Sequence, residues 1–140
     1  MPLSSGQLLE KGEINALKAA TGQAITTFTS TLALLTAAPS ATDLTMAAET
    51  EYGATGYARQ AFGPNTPTSA SPSVVSNTST ITFGPFTASV SGTITWAVEC
   101  DSTAGSTAVV YAAFLLGTAR TPLTGDSLQA AASAFTLTLT

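Results

Sequence analysis

Between Ala88 and Cys100 the chain reads Ala-Ser-Val-Ser-Gly-Thr-Ile-Thr-Trp-Ala-Val-Glu-Cys. One set of alternate positions holds Val90, Gly92, Ile94, Trp96, Val98 and Cys100. The other holds Ser89, Ser91, Thr93, Thr95, Ala97 and Glu99. Successive side chains on a strand point to opposite faces, so this rhythm predicts one apolar face and one wet or neighbour-facing face. Thr, Ile, Val and Trp suit a pleated surface, whereas a helical period would scatter the same apolar residues around a cylinder. The stretch is expected to be a central strand, bent or bulged at Gly92, with Trp96 in mid-core.

The same alternation recurs elsewhere. Residues 25–36 set Phe28, Ser30, Leu32 and Leu34 against threonines and stop before Pro39, which predicts a first strand. A second is expected in 57–62, a third in 78–83, a short one in 127–131 and a last one in 135–140. Residues 108–116 are apolar on both faces, as suits a strand covered on two sides, by the core and by a neighbouring chain. Residues 40–51 and the Pro/Ser-rich 63–77 read as loops. The expected fold is mainly β: a single antiparallel β-sandwich of about seven to eight strands with a short N-terminal helical segment.

Residues 1–22 differ from the remainder. They hold Lys11 and Lys18, a possible capping box from Ser4 to Gln7, and a broken apolar stripe of Leu8, Leu9, Ile14 and Leu17. Gly12 interrupts this stripe and predicts a kink or two short helices, and Gly22 is a plausible stop. The division expected is therefore a helical arm over 1–22 and a β-sandwich domain over 23–140. The arm either closes one end of the sheet or docks on a neighbouring subunit.

Composition bears mainly on function. Charged residues make up 9% of the chain, against roughly 25% in ordinary soluble domains. Ser, Thr and Ala take their place, which suits a surface covered by copies of itself or by other subunits. The net charge is −4, with Lys11, Lys18, Arg59 and Arg120 as the basic residues. They form no patch for phosphate or for anionic lipid, so neither nucleic acid nor membrane is an expected partner. No run of ~20 apolar residues is present. The N-terminal residues lack the pattern of a secretory signal, so the chain is expected to stay in the cytoplasm where it is made until it is assembled.

Histidine is absent, which removes the commonest general base and metal ligand. The single cysteine, Cys100, lies on the apolar face of a strand and reads as a small buried hydrophobe. Two carboxylate pairs, Glu49 with Glu51 and Glu99 with Asp101, have the spacing for a cation or for glycosidase chemistry, but such pairs are more commonly structural. Tyr52, Tyr57 and Trp96 have the chemistry to line a sugar site, although aromatics in alternating strands are usually core. Arg59, the only cation between residues 19 and 119, is expected to pair with Glu51, Glu99 or an acid of another subunit. No catalytic residue, cofactor or metal is expected; Arg59, Tyr57, Glu51 and Trp96 are the candidate interface or structural residues.

Several short pieces, in order, carry a resemblance. They are Leu32-Ala-Leu-Leu-Thr-Ala-Ala-Pro39, Thr50-Glu51, Gly56-Tyr-Ala-Arg-Gln60, Ile81-Thr-Phe83, Gly92-Thr-Ile-Thr-Trp-Ala-Val-Glu-Cys-Asp101, Val110-Tyr-Ala-Ala113, Gly125-Asp126 and Leu137-Thr-Leu139. Over residues 30–140 the chain resembles a family of small tailed-phage virion proteins, often labelled tail-fibre proteins. It departs from the family pattern at Glu51-Tyr-Gly-Ala-Thr-Gly-Tyr57, where a triple glycine is usual, and in the 63–77 loop. The resemblance implies a non-enzymatic β-sandwich subunit of the virion. Of the two placements, a head decoration subunit cementing the major capsid protein, as a homotrimer, is the first expectation. A tail-fibre or baseplate-associated subunit with a host-glycan-binding sandwich is the alternative. A small carboxylate hydrolase is the least favoured class.

Overall fold

A computed structural model describes residues 7–25, 28–63 and 73–139. Among them are nine strands and one α-helix: β1 (Gln7–Leu8), α1 (Glu10–Ala20), β2 (Thr31–Leu35), β3 (Gln60–Ala61), β4 (Ser73–Ser76), β5 (Ile81–Phe83), β6 (Ile94–Cys100), β7 (Val110–Arg120), β8 (Leu128–Ala130) and β9 (Thr136–Leu139). Five strands form a sheet in the order β1-β7-β6-β2-β3, and β4-β9 and β5-β8 form two further ladders. Every pairing is antiparallel. The result is a mainly β, sandwich-like architecture.

Both faces of the large sheet are apolar and both are covered. One face presents Leu32, Leu34, Ala97, Ala112 and Phe114 to a second layer that supplies Tyr52, Ile81, Phe83, Phe86, Phe135 and Leu137. The other presents Ala33, Leu35, Trp96, Val98, Cys100, Val110 and Ala113 to Leu9, Leu44, Met46 and Ala108. This explains why all five residues of β2 are buried. The 40–51 segment covers the start of β7 on this face from within the chain, its backbone tied there by Met46 N–H to Ala108 O (2.9 Å) and Val110 N–H to Leu44 O (2.9 Å); beyond Phe114 the strand is largely exposed.

Two bulges set the faces. Ile94 pairs with Arg120 while Trp96 pairs with Leu115, so four residues of β7 oppose the single Thr95. Ile94 is turned into the same core as Ala97, away from Trp96, where strict alternation had placed it on Trp96's side. The strand therefore begins at Ile94 rather than at Ala88; Ser89 and Gly92, at φ +54° and +85°, carry the chain through an irregular entry. At the other end Glu99 pairs with Ala112 and Cys100 with Val110, leaving Tyr111 as the extra residue. The freed Tyr111 carbonyl accepts the Leu9 N–H at 2.8 Å.

Helix α1 starts one residue later and is a single helix. Gly12 does not divide it into two; a Cβ there would lie 2.6 Å from the Tyr111 carbonyl oxygen, so glycine permits the close approach to β7. Gly22, at φ +72°, ends the helix with Gln23 N–H bonded back to Lys18 O at 2.9 Å. The N-cap of α1 is Leu9, without a side-chain bond, and Gln7 is in β1; the capping box expected from Ser4 lies outside the described residues. Residues 73–76, read as loop, pair with β9, and the strand expected over 57–62 shortens to Gln60–Ala61.

Candidate functional site

The polar centre of the molecule is built on the edge of β2. Strand β3 pairs only with Thr31 and Leu32, so the amide and carbonyl of Leu34 on that edge need other partners. The Tyr57 hydroxyl accepts the Leu34 N–H at 2.9 Å, and the Leu34 carbonyl accepts the Tyr52 N–H at 2.8 Å. Tyr57 is placed by a tight turn, its N–H bonding to Ala54 O at 3.0 Å. Gly56 in that turn has φ +89°, and a Cβ there would lie 2.2 Å from the Pro85 carbonyl oxygen.

Glu51, beside Leu35 in an isolated antiparallel bridge, receives three bonds. The Tyr57 hydroxyl donates to its Oε1 at 2.9 Å. Arg59 grips it two-pronged, Nε to Oε1 at 2.8 Å and Nη2 to Oε2 at 2.7 Å, the planar fork matching the carboxylate. The same guanidinium donates Nη1 to Ser102 O at 3.0 Å and Nη2 to Gly105 O at 2.9 Å. Four donor contacts on four acceptors leave this cation engaged with the protein itself. It ties the 50–52 segment, the approach to β3 and the loop joining β6 to β7. The Glu51 bond is the main influence raising the Arg59 pKa, ahead of the opposing effect of burial. Burial raises the Tyr57 phenol, helped by the neighbouring Glu51 charge.

Cys100 lies next to this cluster. Thr31 Oγ1 sits 3.3 Å from its Sγ and donates to Ser102 O at 2.8 Å. Burial pushes the thiol up, as befits an inert core cysteine.

The four candidate residues do not converge. Glu51, Tyr57 and Arg59 form one cluster; Trp96 is packed among the apolar residues of the second core and shares no bond with those three. The members of each carboxylate pair bond to different partners. Glu49 accepts the Ser40 N–H through both oxygens at 3.1 and 3.2 Å. Asp101 accepts the Val109 N–H at 2.8 Å, and Glu99 accepts the Ser30 hydroxyl. Among the described residues no group of three or more acids or thiols is arranged to hold a metal. The aromatics face inward. Tyr52 is 1% exposed and meets Tyr57 and Phe86 edge-on, and Trp96 is 8% exposed, so neither offers a ring face on which a sugar could stack.

A shallow groove of about 250 Å³ runs between β7 and β8, floored by Phe83, Phe114, Leu116 and Phe135 with Arg120 and Gln129 at its rim. One organising polar residue escapes a reading by motif. Asn77, 1% exposed, donates to Ser79 O (2.9 Å) and Ala131 O (2.7 Å) and accepts the Phe135 N–H (2.9 Å). Its only sequence signal is an amide among hydroxyls at the end of a loop.

A family model described as Podophage GP4 fiber I protein gp80 matches residues 7–138, which is nearly the whole of this fold. The chain belongs to that family. It is a phage structural protein, as the ordered motifs from Leu32 to Leu139 suggested. No curated protein matches it. Within the matched span lie both cores and the Glu51–Tyr57–Arg59 cluster, and no helix among the described residues is long and apolar enough to cross a membrane.

Proposed function

We propose that the chain is a non-enzymatic subunit of a virion appendage, built into a fibre and in contact with other virion proteins and with copies of itself. The family match over residues 7–138 carries this reading, through the fibre that its description names. The chemistry supports it. The polar groups that a catalyst would aim at a substrate are engaged inside the fold: Glu51 with Arg59, Asp101 with Val109, Glu99 with Ser30 and Asn77 with three backbone partners. A chain with only 9% charged residues suits contact between subunits, whose buried centre is depleted of charge.

A head decoration subunit bound to the major capsid protein is the second reading. The observation that favours it is the central part of the sheet, covered on both faces within one chain, as suits a compact unit seated on a surface. Gold-labelled antibody against the folded protein, applied to intact virions, distinguishes the two. Label on the fibres is the expected result. Label over the heads would replace the first placement with the second, and particles without label anywhere would contradict both.

A further inference from the structure

Helix α1 is inside out. In a helix lying on a globular body the large apolar side chains face inward. Here the one fully buried residue is Gly12, while Ile14 is 37% exposed and Leu17 67%. At about 100° per residue, Gly12 and the half-buried Ala16 share the side toward β7, and Ile14 and Leu17 lie on the opposite side with Glu10, Lys18 and Thr21 around them. Isolated helices shorter than about 12–15 residues are marginal in water and owe their stability to tertiary packing. This one has 11 residues and packs little more than its small-residue side. Its orientation is nonetheless fixed, by the Leu9 N–H bond to Tyr111 O and the close approach at Gly12.

The charges identify what covers the outer face. Glu10 and Glu13 stand in the first turn and Lys18 in the last. The pattern is complementary to itself when two such helices lie antiparallel. With Ile14 at the two-fold axis, Glu10 of each helix falls opposite Lys18 of the other, the Ile14 side chains meet, and each Leu17 lies beside the stem of the other's Lys11. Antiparallel helix dipoles favour the same arrangement. The geometry points to a two-fold contact between copies of this chain through the outer face of α1, with Ile14 and Leu17 as its apolar centre and two Glu10–Lys18 pairs as its flanks.

The contact is small. Each helix is only about 16 Å long, so the interface lies in the weak class below about 1,000 Å². It becomes effective where other contacts already hold copies side by side at millimolar effective concentration. A two-fold contact links copies in pairs, and so differs from the three-fold association expected from sequence. It rests on the helix alone and not on where in the virion the protein sits.

The test is sedimentation of the full chain from about 10 μM to 1 mM. The wild type is expected to shift from monomer to dimer across this range. Leu17→Ser is expected to remain monomeric with an unchanged melting temperature, because Leu17 contributes little to the monomer. Glu10→Lys and Lys18→Glu alone each oppose like charges twice, and each is expected to weaken dimerisation about tenfold. Mixing these two variants restores both pairs, so the mixture is expected to form a heterodimer near wild-type strength, a recovery that mere fraying of the helix would not produce. A wild type that stays monomeric throughout, a dimer indifferent to Leu17→Ser, or a mixture no stronger than its components would each overturn the proposal.

Discussion

Replacing Arg59 with methionine removes the guanidinium but keeps an apolar stem of similar length. Arg59 donates two bonds to Glu51 and one each to the carbonyls of Ser102 and Gly105. Bonds to charged groups contribute about 1.5–3 kcal/mol each, and adding four of them would give a figure comparable to the whole stability of a domain, about 5–15 kcal/mol. The sum overstates the loss, because the Glu51 side chain is 27% exposed and water can replace part of what the cation supplied. Breaking a buried ion pair costs about 3–5 kcal/mol; the partial exposure of Glu51 puts the expected cost near the lower end, about 3 kcal/mol. For a chain of this length that corresponds to a fall in Tm of about 12 °C. The sole tryptophan, Trp96, is buried, so its fluorescence during guanidinium unfolding reports the change. Arg59→Met combined with Glu51→Met removes the stranded carboxylate and is expected to be less damaging than the two single costs added together, with a coupling of about 2 kcal/mol. A loss below 1 kcal/mol for Arg59→Met, or simple additivity in the double variant, would refute the view that this cluster holds three segments of the fold together.

Three further outcomes follow from the same geometry. Gly56 and Gly125 both have positive φ, but only at Gly56 would a Cβ strike backbone, with nothing within 4 Å at Gly125; Gly56→Ala is expected to cost at least about 2 kcal/mol more than the roughly 1 kcal/mol of Gly125→Ala by denaturant unfolding. Burial raises the Glu99 carboxyl above its ordinary 4.5, against the pull of the Ser30 bond. The folded state thus holds that proton more tightly than the unfolded chain, and the stability it contributes is full below about pH 4.5 and lost as pH rises through the folded value. Glu99→Gln should accordingly stabilise the protein at pH 8 and change little at pH 4, which paired unfolding curves will show. Burial also raises the Cys100 thiol; it is expected to resist an aromatic disulfide reagent at pH 8 over many minutes and to react at once in denaturant, as followed by absorbance.

The strands were legible where two-residue rhythm met an ordinary ladder, as in β2, β5 and β9. They were misjudged where a bulge changed the rhythm. No alternation pattern reveals that four residues of β7 oppose Thr95, and that count alone decides which core receives Ile94. Leu44 and Met46 were hidden for another reason. Two apolar residues in a polar loop look incidental until the second face of a sheet lies beneath them. Within the polar cluster, the partnership of Arg59 with an acid was readable because a lone buried cation requires one. The choice of Glu51 over Glu99 was not, since it depends on where β3 stops and leaves room at the β2 edge for Tyr57 and its neighbours. Asn77 escaped notice because its role lies in contacts with residues 79, 131 and 135, of which two are more than fifty positions away.

Quantitative mass spectrometry of density-purified virions tests the central claim most directly. A structural subunit should be present in particles at a fixed ratio to the other appendage proteins, unchanged through high-salt washing. Recovery of the protein only from the soluble lysate, with particles that lack it, would contradict the account.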